Sequence, residues 1–147
     1  MVEQGQIVFT DSKGRINYLF DGLRHREDGP AFFCPRTLEE QWWYRGKLHR
    51  LDGPADYKPK MQENGIAYET WYVHGKTHRD GGPAHTNPFT KTRFWYQDGE
   101  IHRDDGPAVI SGAKEIYYWR GEKLRVRTLK GFLKIRPLLM MQDVQKA

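Results

Sequence analysis

With 147 residues, 37% of them hydrophobic and 29% charged, the chain can bury one moderate core and lies outside the composition range of disordered proteins. Its single cysteine, Cys34, excludes an intramolecular disulfide framework and fits a reducing compartment. No apolar run approaches the ~20 residues needed to span a bilayer, and Met1–Gly5 lacks the basic and apolar regions of a secretory signal, so the expectation is a soluble cytoplasmic protein with no membrane partner.

The first predicted element is a hairpin: Ile7–Thr10, a turn at Asp11–Gly14, then Arg15–Phe20. Directly after it comes Gly22-Leu23-Arg24-His25-Arg26-Glu27-Asp28-Gly29-Pro30-Ala31, and this segment returns. The second copy is Gly46-Lys47-Leu48-His49-Arg50-Leu51-Asp52-Gly53-Pro54-Ala55. The third is Gly75-Lys76-Thr77-His78-Arg79-Asp80-Gly81-Gly82-Pro83-Ala84, and the fourth Gly99-Glu100-Ile101-His102-Arg103-Asp104-Asp105-Gly106-Pro107-Ala108. A fifth copy begins at Gly121-Glu122-Lys123-Leu124-Arg125 and then leaves the pattern. A period of 24 to 29 residues is the mark of a tandem repeat.

An aromatic cluster precedes each first glycine: Tyr18-Leu19-Phe20, Trp42-Trp43-Tyr44, Trp71-Tyr72, Trp95-Tyr96 and Tyr117-Tyr118-Trp119. Rings bounded by Gly and Asp read as strands, and the glycine supplies positive φ for a tight turn. In Asp-Gly-Pro-Ala the expected roles are an Asp bonded to following backbone, a Gly that permits the reversal, a Pro that blocks helix and an Ala that opens the next strand. The third hairpin has the longest loop, Pro59–Gly65, the place expected to be most mobile. Because neighbouring strand residues face opposite sides, one ring of each pair is expected on an outer face.

The segment Trp71-Tyr72-Val73-His74-Gly75-Lys76-Thr77-His78 resembles the MORN repeat and its bacterial relatives, with an aromatic pair followed by a Gly-Lys turn on successive hairpins. The resemblance spans roughly residues 15 to 125. Here the spacing is longer and the Asp-Gly-Pro-Ala extension is additional; in this longer form the chain is similar to uncharacterised repeat proteins of bacteriophages and large DNA viruses. The resemblance implies stacked hairpins and a role in binding, and it carries over no catalytic residue.

The predicted fold is therefore all-β: an elongated meander of about five stacked hairpins over residues 1–125, closed by a basic and apolar cap or tail over 126–147 with room for a short helix after Pro137.

Three sets of residues are candidates for chemistry. His25/Asp28, His49/Asp52 and His102/Asp105, with His78 facing Gly81, combine metal-ligating and acid–base types. Their recurrence in every copy points instead to a structural motif in which imidazole and carboxylate satisfy backbone groups and touch the next repeat. The ladder Arg26, Arg50, Arg79, Arg103 has two readings, phosphate binding or pairing with neighbouring acids. Finally, residues 112–147 hold 9 Lys+Arg against 3 Asp+Glu, whereas residues 1–111 hold 15 against 16, so the net charge of +5 resides in the tail. There Lys123, Arg125 and Arg127 alternate with Leu124, Val126 and Thr128 as if along one strand face, and Lys130, Lys134 and Arg136 follow. Such an end either caps the stack or grips an acidic partner.

The expectation is a non-enzymatic binding module, phage- or mobile-element-encoded, that binds a host protein through the repeat face and the basic tail as an inhibitor or anti-defence factor. A nucleic-acid binder using the Arg ladder and tail is one alternative. A metal-binding or enzymatic protein using the His/Asp pairs is another. No cofactor and no metal are expected.

Overall fold

In the computed structural model, which describes residues 5–59 and 67–146, ten strands form one antiparallel meander in strict chain order. They pair as five long hairpins: Gln6–Thr10 with Ile16–Phe20, Phe32–Cys34 with Glu39–Gln41, Asp56–Lys58 with Tyr68–Thr70, His85–Asn87 with Thr92–Phe94, and Val109–Ser111 with Lys114–Ile116. Each long hairpin also bonds to the next, so the main sheet is continuous. The fold is thus the all-β stack of hairpins that the repeat implies. Except for Pro59, the loop expected at Pro59–Gly65 lies outside the described residues.

Each repeat carries a second, shorter hairpin that the aromatic clusters did not reveal as a separate element. The ring residues Trp42, Trp71, Trp95 and Tyr117 interrupt the strand, and after them come Trp43–Tyr44 with Lys47–Leu48, Tyr72–Val73 with Lys76–Thr77, Tyr96–Gln97 with Glu100–Ile101, and Tyr118–Trp119 with Glu122–Lys123. In the first repeat, Leu23–Arg24 pairs with the end of Ile16–Phe20. The turns are two residues long with both in the left-handed region: Arg45 and Gly46 at φ 46° and 75°, His74 and Gly75 at 48° and 83°. That is the type I′ geometry whose twist matches a hairpin. Glycine meets this demand at no steric cost, while the residue before it is held there by a bond described below.

Register places one residue from each of the nine strands after Gln6–Thr10 in a single row across the sheet. From one end it runs Asn17, Phe32, Gln41, Asp56, Thr70, His85, Phe94, Val109 and Ile116. Directly opposed residues share a face, so these nine side chains line one side. Alanines 31, 55, 84 and 108, one position before the row, are fully buried. Their carbonyls accept from the N–H groups of Tyr18, Trp42, Trp71 and Trp95 at 2.7–2.8 Å, which stitches each motif to its own aromatic cluster.

The stack ends in helix α1, Leu129–Lys146. It is longer than the short helix expected, and it starts eight residues before Pro137 rather than after it. Thr128 supplies the N-cap: its Oγ1 accepts from the Gly131 N–H at 3.1 Å. Pro137 is tolerated inside because it and Leu133, whose carbonyl it cannot bond, both lie on the exposed side of the helix, where water can replace the bond. The opposite side packs Phe132, fully buried, against Tyr117 and Trp119 with ring centroids 5.3 and 6.3 Å away. Leu124, Val126 and Leu139 surround this cluster, and Asp143 bonds Trp119 Nε1 at 2.9 Å and Arg120 Nε at 2.6 Å. An open stack would otherwise end in exposed rings; α1 covers them. No helix among the described residues is long and apolar enough to cross a membrane.

Phe132→Ala removes the largest apolar side chain of α1 from this cluster. It is expected to lower the unfolding free energy by about 3–5 kcal/mol, measured by urea denaturation, with α1 losing its circular-dichroism signal first.

Candidate functional site

The recurring histidines do the same thing four times. The ring Nδ1 of His25, His49, His78 and His102 accepts a hydrogen bond from the backbone N–H of Arg45, His74, Asp98 and Arg120, in each case at 3.1 Å. Each donor is the first residue of the next repeat's type I′ turn, the one non-glycine forced to positive φ. Backbone bonds flank the contact: Gly46, Gly75, Gly99 and Gly121 donate to carbonyls of the preceding repeat at 2.8–3.0 Å. An accepting Nδ1 assigns the proton to Nε2. Nε2 in turn faces the residue two positions on, Asp104 at 2.8 Å from His102, Asp80 at 3.4 Å from His78, and Glu27 at 3.8 Å from His25. The Asp three positions on, which the sequence paired with histidine, belongs to another residue.

That residue is arginine. Arg26, Arg50 and Arg103 donate from Nε to Asp28, Asp52 and Asp105 at 2.7, 2.8 and 2.6 Å. These bonds hold Asp28 and Asp52 below the usual carboxylate range. All four guanidiniums lie over a ring: Arg26 on Tyr18, Arg50 on Trp42, Arg79 on Trp71 and Arg103 on Trp95, at 4.0–4.2 Å. Arg50, Arg79 and Arg103 also reach the carbonyl of the motif proline. Gly29, Gly53, Gly82 and Gly106 sit against these planes. None of them has positive φ, so the reversal does not require glycine; space does. A Cβ on Gly29 or Gly53 would stand 2.7 or 2.5 Å from the guanidinium carbon. The motif Asp likewise bonds arginine rather than the following backbone. In the third copy Gly81 removes the carboxylate, and among the described residues the Arg79 guanidinium keeps its ring and the Pro83 carbonyl.

The rings are sorted by this arrangement. The first ring of each of the first four clusters lies under an arginine on one face. The second, Trp43, Tyr72 or Tyr96, faces the side of the polar row, and no ring of the three pairs is fully exposed. Among the described residues no group of three or more His, Cys, Asp or Glu is gathered to hold a metal ion. Cys34 is buried.

The basic tail divides. Lys123 ends the last short strand; Arg125 and Arg127 follow in an extended connection rather than on a strand, both exposed, while Leu124 and Val126 turn inward. Lys130 and Lys134 are exposed on α1. Arg136 is separate: it lies on the packed side, and its Nε is buried without a hydrogen bond among the described residues. Sequence reasoning missed the apolar side of this surface. Leu129, Leu133, Pro137, Met140 and Val144 follow a 4-4-3-4 spacing that puts them on one stripe of the helix, and the four non-proline members are 46–79% exposed. The signal was present as spacing, but it is legible only once the helix runs through Pro137. Lys130 and Lys134 flank the stripe.

His49 makes its joint sensitive to pH. Burial first, and then the neighbouring His74 ring stacked at 4.3 Å, push its pKa below the ordinary imidazole value of about 6.5. A depressed imidazole pKa contributes stability that is full above the unfolded value and is lost as pH falls through the folded one. His49→Asn keeps an acceptor but does not titrate. The wild-type advantage over His49→Asn is therefore expected to shrink steadily below pH ~6.5, read from urea midpoints at pH 7.5, 6.5 and 5.5.

Compared with protein-family models, curated proteins and solved structures, the chain matches none of them.

Proposed function

We propose that the protein is a non-enzymatic binding module that docks an acidic protein surface on the exposed face of α1, with the repeat stack as its rigid support. One observation carries the reading: α1 spends one side capping the stack and still presents Leu129, Leu133, Met140 and Val144 to solvent, flanked by Lys130 and Lys134. A stripe of that spacing fits a partner helix or groove, and the cations select for acidic rims. The recurring His, Arg and Asp of the repeats are engaged in joints, which argues against a reaction centre built from them. On the resemblance to phage and viral repeat proteins, the partner belongs to the infected host, and blocking that partner is the natural consequence of binding.

Nucleic acid is the second reading, supported by the exposure of Lys123, Arg125, Arg127, Lys130 and Lys134 at one end of the molecule. The arginine ladder supports it less, because ring faces and carboxylates already engage Arg26, Arg50 and Arg103.

Removing the tail would uncover Tyr117 and Trp119, so the informative variants are on the exposed face. Leu133→Glu with Met140→Glu should abolish capture of a specific host protein from lysate while the circular-dichroism spectrum stays unchanged. Unchanged capture by that variant would refute docking on this stripe. Retention on DNA or RNA that falls steeply with salt and is lost in Lys130→Glu/Lys134→Glu, with no captured protein, would favour the second reading.

A further inference from the structure

The nine-residue row across the main sheet is not uniform. At one end it is Phe94, Val109 and Ile116, as expected for a stack whose only need is cohesion. At its centre stand Gln41, Asp56, Thr70 and His85. The position after the buried alanine is Phe32, Asp56, His85 and Val109 in successive repeats, so the two middle copies alone carry titratable groups. Burying a carboxylate and an imidazole costs stability, and a departure from local consistency of this kind points to a site.

Around this polar centre the sheet forms a trough of about 440 Å³ bounded by Asp56, Tyr68, Tyr72, His85, Phe94 and Tyr96. It lies on the opposite face from the arginine stacks and apart from α1. Asp56 Oδ1 accepts from Gln41 Nε2 at 3.3 Å and from the Tyr68 hydroxyl at 3.4 Å, whereas Oδ2 takes no bond among the described residues. His85 Nδ1 is tied to Thr70 Oγ1 at 2.8 Å. The rings are in mutual contact: Tyr68 with His85 at 6.3 Å, His85 with Phe94 at 5.7 Å, Phe94 with Tyr96 at 6.4 Å. Glu39 adds a second negative charge beside Asp56, only partly offset by Lys58 at 3.9 Å.

We infer that this trough binds a guanidinium or alkylammonium group, held by Oδ2 of Asp56 and by the ring faces of Tyr72 and Tyr96. The chemistry selects for a cation in three ways. A half-buried carboxylate with an open oxygen gains a charge-assisted bond. Phenol and phenyl faces attract cations, most strongly where water is partly excluded. An anion would meet Asp56 and Glu39 and be repelled. Burial also raises the Asp56 pKa, a penalty that a bound cation would relieve. The site is independent of the docking face on α1, so either can fail without the other.

The test is titration of the ¹⁵N-labelled full chain, following the Thr70, Tyr72, His85 and Tyr96 amides. The probes are capped Gly-Arg-Gly and Gly-Lys-Gly peptides, the capped Gly-Gln-Gly peptide, and free methylguanidinium and n-butylammonium. Saturating shifts with the cationic probes and none with the Gln peptide are expected. Binding of the peptides but not the free cations assigns a protein side chain as the source; equal binding of both assigns the bare cation. Asp56→Asn, which keeps the Gln41 and Tyr68 geometry, should weaken binding by about tenfold or more, with thermal stability no lower than wild type. Tyr96→Leu, a second variant, should weaken it while leaving the row intact. Identical shifts with the Gln peptide, no saturable shifts with any probe, or undiminished binding by folded Asp56→Asn would overturn the inference.

Discussion

The structure depends on one hydrogen bond, repeated four times: a histidine Nδ1 accepting the N–H of the first turn residue in the next repeat. A type I′ turn forces a non-glycine into the left-handed region, which costs energy unless something fixes it there. The same N–H would otherwise be left to solvent at the seam between repeats. Histidine resolves both problems with a single acceptor atom. In the repeats after the first, strain is therefore offset by a side chain from the one before. That is the cooperativity expected of a linear stack.

The other motif residues serve that joint. Arginine lies over the first ring of its cluster, and in three of the four copies Asp accepts from its Nε. The second motif glycine lets the plane approach the backbone, and the fully buried alanine closes the gap to the next strand. Each residue type follows from contact with the last: a larger side chain at Gly53 would strike Arg50, and a larger one at Ala55 has no space. Such a chain of dependences explains why the motif recurs with so little variation while the rest of each repeat drifts. Where drift reaches the central row, it places Asp56 and His85 at the position that Phe32 and Val109 hold in the flanking repeats. At the end of the stack it yields a helix that caps with Phe132 and faces outward with Leu133 and Met140. Recurrence thus marks cohesion, and the departures from it supply the chemically distinct surfaces.

The repeat, its strands and its glycine turns were legible from the sequence because each rests on local chemistry: ring clusters, Gly after Asp or Arg, and Pro beyond Gly. Residue pairing across repeats was less so. His25 was matched with Asp28 by spacing alone, yet the imidazole meets Glu27 and Arg45 while Asp28 meets Arg26. Spacing cannot show which side chain a third residue intercepts. The short hairpins were hidden because one ring breaks the strand without any turn residue to announce it. The sequence places a short helix after Pro137, since proline is favoured in a first helical turn; Thr128 capping and Phe132 burial start it earlier. The central row was invisible because it is assembled by register across nine strands, and no single segment contains it.

Native-state hydrogen exchange at the four turn amides tests the central joint most directly. The N–H groups of Arg45, His74, Asp98 and Arg120 belong to exposed two-residue turns, where unprotected amides exchange at close to the free-peptide rate. If histidine holds them, they will exchange as slowly as neighbouring amides of the main sheet, and replacing His102 with Phe will release Arg120 while leaving Arg45 protected. Free-peptide exchange at all four positions in the wild-type chain would contradict the account.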